Sequence, residues 1–232
     1  MNPRRKFLLQ GGVATTALFS AKPFNSMANS LAPLIGFNVN SNKIVLVHTY
    51  KQQLQISNHL AAIKRSTGNV VLLHAGEMNQ WENTATNYDA AIGQPNNTKQ
   101  FTQKDFSIVY KGNFKIGVIT PVDNCYAVEH INQLSGFLKN IRNCDLVVCL
   151  SNLGYKNSSA IDDVRLAGKS SNLDIIIGGH AENFSKYPVT VFNKNQEEVI
   201  INHSLSGNQD FGKIEVEFDN KGNKHNVAFN NI

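Results

Sequence analysis

Four short apolar runs constrain the fold more than any other feature of the chain. They are residues 43–48 (K-I-V-L-V-H), 69–74 (N-V-V-L-L-H), 145–150 (D-L-V-V-C-L) and 173–177 (L-D-I-I-I). Each is too short for a buried helix and too continuously apolar for a strand with one wet face, so each predicts a strand covered on both sides. Between the first two, Leu54, His59 or Leu60, and Ile63 recur at helical spacing, which makes a βαβ unit with a parallel pair. Val128, Ile131, Leu134, Phe137, Leu138 and Ile141 fall on one face of a predicted helix over 128–141, and another helix is expected over 160–166. Residues 106–110 and 114–119 alternate around Lys111-Gly112-Asn113, a hairpin signature. After Gly178-Gly179 the pattern changes to strands at 189–192, 198–203 and 213–218, expected as an antiparallel meander. The long polar stretch 78–103 has almost no apolar periodicity and is expected to be a functional or remodelled segment.

With 232 residues, 41% of them hydrophobic, the chain has room for one compact domain and a tail. The net charge of +5 includes Arg4, Arg5, Lys6 and Lys22, so the chain without its first residues is close to neutral and no nucleic-acid partner is expected. Those first residues run N-P-R-R-K-F-L-L and continue into a short, diluted apolar segment with a small-x-small site at Ser26-Met27-Ala28. They resemble a twin-arginine (Tat) signal over 1–28, followed by a linker over 29–42 and a single domain over 43–232. The expected partner is the Tat export machinery and the expected location periplasmic or extracellular. No Cys follows the apolar segment and it is too short to span a bilayer, so no stable membrane anchor is expected. Cys125, Cys144 and Cys149 form no C-x-x-C pair, and buried inert thiols are expected.

Ligand-binding groups in α/β sheets gather beyond the carboxyl ends of strands. Here those ends read His48-Thr49-Tyr50-Lys51-Gln52-Gln53, His74-Ala75-Gly76-Glu77, Ser151-Asn152-Leu153-Gly154-Tyr155 and Gly178-Gly179-His180-Ala181-Glu182. In this order, and followed by F-G-K-I-E-V-E-F-D, they resemble the calcineurin-like metallophosphoesterase domain of the bacterial 5′-nucleotidase family, in its exported Bacteroidetes-type form. The resemblance covers residues 43–219 and is most specific at L-S-N-L-G-Y and D-I-I-I-G-G-H. It implies a four-layer α/β/β/α sandwich with mixed sheets. It also implies two divalent metals that polarise a phosphate ester and supply hydroxide.

Position by position, the metal ligands of that family are replaced. Lys51 stands where the first loop has its Asp, and Gln53 where it has its His. Glu77 stands for the bridging Asp, Gln94 for the ligand Asn, Pro95 for the catalytic His and Asn152 for the fourth loop's His. His180 is kept, and Glu182 replaces the last His. An ammonium has no lone pair for a metal and repels it, and a proline can neither coordinate nor donate a proton. The expectation is therefore a family relative without phosphate ester hydrolysis and without a cofactor, which binds a ligand or partner, with Lys51 supplying the charge that the metals supplied. The alternative is an active phosphohydrolase with a rebuilt site of Glu77, His180, Glu182 and His74 holding Mn, Zn, Fe or Mg. A separate chain with a 5′-nucleotidase C-terminal-like domain is the expected protein partner. His48 is expected to be a hydrogen-bonded core histidine. His130, His203 and His225, like His59, show no ligand spacing, and Asp162-Asp163 reads as a solvated helix face.

Overall fold

The computed structural model of the protein describes residues 42–50, 69–76, 88–92, 105–121, 127–156, 161–179, 184–185, 187–203 and 211–231. Eleven strands among them form two mixed sheets. The first has the order β11-β10-β1-β2-β3, built from β1 (Lys43–Thr49), β2 (Val70–His74), β3 (Ala90–Ala91), β10 (Gly212–Phe218) and β11 (Lys224–Asn231). The second has the order β4-β5-β6-β7-β9-β8, built from β4 (Phe106–Lys111), β5 (Phe114–Ile119), β6 (Leu146–Ser151), β7 (Ile175–Gly178), β8 (Val189–Phe192) and β9 (Glu198–His203). The four apolar runs become β1, β2, β6 and β7, and β1 and β2 pair in parallel as expected. The β4–β5 hairpin closes at Lys111 and Phe114, with Gly112 at φ +56° where a Cβ would be strained.

The period-two alternation of the strands sorts side chains into layers. Ile44, Leu46, Val71 and Leu73 of the first sheet meet Ile116, Leu146, Val148, Leu150, Ile175 and Ile177 of the second in one core. The opposite face of the second sheet (Val147, Cys149, Ile176, Val199, Ile201) packs under helices α1 (Val128–Gly136) and α2 (Asp163–Lys169). On the outer face of the first sheet, Val45, Val47, Val70 and Leu72 are buried and belong to neither cluster. The helix expected between β1 and β2 lies outside the described residues. The outer face of β10 is instead charged: Lys213, Glu215 and Glu217 alternate with Lys43 of β1 in a ladder of ion pairs of 2.6 to 3.2 Å. Burial opposes the charge on Glu215, and the bonds from Lys213 and Lys43 overcome it, so its carboxyl sits below its ordinary range.

Three expectations are corrected. Helix α1 does not continue to residue 141 as an α-helix but gives way to a π turn over Phe137–Ile141, which turns Ile141 out to 68% exposure. The second helix begins at Asp163, not at 160, because Asp162 caps it by accepting the Arg165 N–H at 2.7 Å. The C-terminal strands pair antiparallel at β8–β9 as expected but form no continuous meander: β9 also runs parallel to β7, and β10 crosses to the other sheet, where it pairs with β1 and with the unanticipated β11. The 78–103 stretch contributes β3 and the buried Tyr88 to the first sheet; its remaining residues lie outside those described.

Candidate functional site

The carboxyl ends of the strands converge through backbone contacts. The Ala75 N–H bonds the Thr49 carbonyl at 3.0 Å, the Ile92 N–H the His74 carbonyl at 3.0 Å and the Gly179 N–H the Ser151 carbonyl at 2.8 Å. A Cβ on Gly76 would lie 1.8 Å from the Tyr50 carbonyl oxygen, and one on Gly179 would lie 1.8 Å from that of Ala75. These glycines are needed because backbone touches backbone there. The residues that precede Lys51, Glu77, Asn152 and His180 thus start from one place, with Ile92, two positions before Gln94, beside them. Of the expected ligand positions, Asn152 is described, half-buried directly after β6, and His74 is described, buried at the end of β2. Lys51, Gln53, Glu77, Gln94, Pro95, His180 and Glu182 lie outside the described residues.

Beneath this convergence lie three buried polar clusters, each in a different layer. On the outer face of the first sheet, the Thr49 hydroxyl links His74 Nδ1 (2.7 Å) to the Tyr88 hydroxyl (2.8 Å), so one contact is donated by Thr49 and the other accepted. The His74 and Tyr88 rings lie 5.1 Å apart, and burial pushes the Tyr88 phenol up to about 12 despite the Thr49 bond, which keeps it protonated. Between the sheets, Asn202 Nδ2 donates to His48 Nε2 at 3.0 Å. Burial, reinforced by nearby His203, lowers His48 to about 3, so the ring is neutral and its Nε2 can accept. Gly212 makes the space: a Cβ there would lie 2.2 Å from the His48 ring.

The third cluster occupies the helix side of the second sheet. Asp163 accepts from the Ser151 hydroxyl and from His203 Nε2 at 2.9 Å, with Asp163 and His203 side chains wholly buried. The Ser185 N–H reaches His203 Nδ1 at 3.4 Å, which leaves the ring proton on Nε2, facing Asp163. The edge of the His203 ring meets Tyr155, and Gly178 leaves room for His203 and Asp163 together. Serine, aspartate and histidine are all present, but the hydroxyl donates to the carboxylate rather than to the imidazole, so no nucleophile is activated. The solvated face expected at Asp162-Asp163 is corrected here, since both side chains are buried. Sequence inspection missed Asp163, Ser151, Asn202, His203 and Tyr88. The strand-end rule applied to β9 would have pointed to Asn202 and His203.

Only Asn152 and His74 of the expected metal positions fall among the described residues. Among those described, no three His, Cys, Asp or Glu side chains converge on one point, the Nδ1 atom of His74 is taken by Thr49, and Asp163 and His203 hold each other. Cys149 and Cys144 are buried, and burial raises both thiols above their ordinary range, as inert cysteines require. Cys125 lies outside the described residues.

No family model and no curated protein matches the chain. Solved structures do. A 5′-nucleotidase precursor from Thermus thermophilus superposes with a TM-score of 0.58 at 18% identity, over 81% of this chain and 54% of that one. The NAD nucleotidase of Haemophilus influenzae gives 0.56 at 11% identity, over 81% and 49%. The sulfate thiohydrolase SoxB of Thermus thermophilus gives 0.52 at 14% identity, over 77% and 41%. The chain spans about half the length of these structures. Two mixed sheets face to face, described helices on the outer face of the second and strand ends that converge give the chain the metallophosphoesterase fold, shared with 5′-nucleotidases.

Proposed function

We propose that the chain is an exported relative of the 5′-nucleotidases that no longer hydrolyses phosphate esters and works by binding a ligand or a partner chain beyond its strand ends. One observation carries this: the polar side chains described at those ends are spent on one another, and the ligand position described after β6 holds an amide, Asn152. An amide oxygen is a weak ligand for the transition metals such a centre uses. Lys51, Gln53, Gln94 and Pro95 extend the same trend in sequence. The partner we propose is a separate chain bearing a 5′-nucleotidase C-terminal-like domain. The test is to recover the protein from the periplasmic fraction of cells, measure bound metal, and assay an aryl phosphate with added manganese. The expected result is less than about one metal per chain and no hydrolysis above a blank. Two tightly bound metals, or turnover, would establish instead the rebuilt site of His74, Glu77, His180 and Glu182, which the convergence of the strand ends favours.

The contact between Tyr50 and Gly76 supports a pairing of the residues that follow them, Lys51 with Glu77. A carboxylate left without metals in a partly desolvated crevice needs a cation, and a lysine stem can reach one. Lys51→Met is expected to cost more than the roughly 1 kcal/mol of an exposed pair, with Glu77→Gln restoring much of the loss in a double-mutant cycle in urea. A change of a few tenths of a kcal/mol would remove the lysine from this role.

A further inference from the structure

We propose that β4 is a dimerisation edge, at which two copies of this chain join their second sheets antiparallel across a two-fold axis at Ile108. The hydrogen-bond pattern fixes which groups face outward. The Thr120 N–H bonds the Asp105 carbonyl at 2.8 Å, so in the β4–β5 ladder residues 105, 107, 109 and 111 direct their backbone groups to β5. Phe106, Ile108 and Tyr110 therefore direct their N–H and C=O groups to the open edge, where among the described residues no strand lies beside them.

Two of the other edges are shorter than β4, and the third, β11, is longer but irregular at its first rung. Strand β3 is two residues long and β8 four, and a register shift at Glu217/Phe218 interrupts the ladder that carries β11. Strand β4 has six residues without proline or bulge, and edges of that kind pair with further strands unless something prevents it.

The residues select a second copy as the partner. A two-fold at Ile108 sets Ile108 against itself, Phe106 against Tyr110, Ser107 against Val109 and Asp105 against Lys111, so the strand is its own complement. Residue 108 then forms the hydrogen-bonded pair at the axis, as its outward N–H and C=O require. On the helix side this joins Phe106, Ile108 and Tyr110 of both copies in one apolar strip. Phe106 and Ile108 are only half-buried and Tyr110 is 64% exposed in the single chain. Asp105 and Lys111 oppose charges of unlike sign at the ends, while within its own chain Lys111 also meets Asp89 at 3.1 Å and Asp105 meets His130 Nε2 at 2.8 Å.

Sedimentation equilibrium across a range of concentrations tests the proposal. The natural chain is expected to approach twice the monomer mass. Ile108→Lys and Ile108→Glu, each setting like charges face to face, are expected to be monomeric alone and to form a dimer when mixed in equal amounts. Tyr110→Ser, at an exposed position that leaves the fold intact, is expected to weaken self-association about tenfold. A monomeric natural chain, a dimer indifferent to Tyr110→Ser, or charge variants that stay monomeric when mixed while circular dichroism shows them folded would each overturn it.

Discussion

Asp162 and Asp163 are adjacent in the chain, yet their side chains serve different structures. Asp162 caps α2 and meets the exposed Arg165 at 3.3 Å, whereas Asp163 holds Ser151 and His203 in a site closed to water. Replacing Asp162 by alanine is expected to cost about 1 kcal/mol, the value of an N-cap. Asp163→Ala is expected to cost about 3 kcal/mol or more, because it strands a buried imidazole N–H and a buried hydroxyl. Urea denaturation of the two variants decides the matter, and equal losses would show that the Asp163 cluster is not held as described. Two adjacent acids on a predicted helix read as a wet face, since that is where charge ordinarily sits. What reverses this reading lies 12 and 40 residues away, in Ser151 and His203, and no local pattern reports contacts at that range. The Gly178-Gly179 pair was legible as a strand end, but not that its first glycine clears space for His203.

At the scale of elements, the apolar runs were enough to place β1, β2, β6 and β7, because a strand buried on both faces has few other compositions. The π turn was not legible. Its bond runs from the Arg142 N–H to the Phe137 carbonyl, five residues back, at 3.0 Å, and one added residue in a turn shifts the helical phase beyond it. Tertiary contacts hold that phase. Leu138 presses on Gly117, where a Cβ would lie 2.9 Å from it, and Lys139 reaches Asp174 at 2.8 Å. Leu138→Ala is accordingly expected to cost about 2 to 5 kcal/mol, while Ile141→Ser changes stability by no more than about 0.5 kcal/mol. In an unbroken α-helix both residues would face the core. A large loss in the Ile141 variant, measured by the same denaturation, would restore that simpler geometry.

Across the whole molecule, the two sheets are joined by a shared core, by the Phe114 and Phe218 rings at 4.9 Å, and by ion pairs at both flanks, Lys111 with Asp89 and Lys224 with Asp174. Which sheet receives a given strand could not be read from sequence: nothing within β9 or β10 reports that β9 joins the second sheet and β10 the first. His48 lies between the sheets near the carboxyl end of β1, and it makes the stability of the whole depend on pH. Its folded pKa is about 3 against 6.5 for a free imidazole, so as pH falls below 6.5 the unfolded chain takes up a proton that the folded chain refuses. Stability then declines with falling pH, by a slope that approaches about 1.4 kcal/mol per pH unit, and above that range this group contributes no slope. Glu215, whose folded pKa lies below its ordinary 4.5, adds its own loss only at lower pH, as pH falls through that folded value. The window between 6.5 and 4.5 therefore separates the histidine from that carboxylate. His48→Gln offers an amide oxygen to Asn202 and cannot take up the proton. Urea midpoints between about pH 7 and about pH 5 are expected to fall steeply for the natural chain and clearly less for the variant. Equal slopes would mean that the ring is already hydrated or protonated in the folded protein, and that the contact between the sheets does not exclude water.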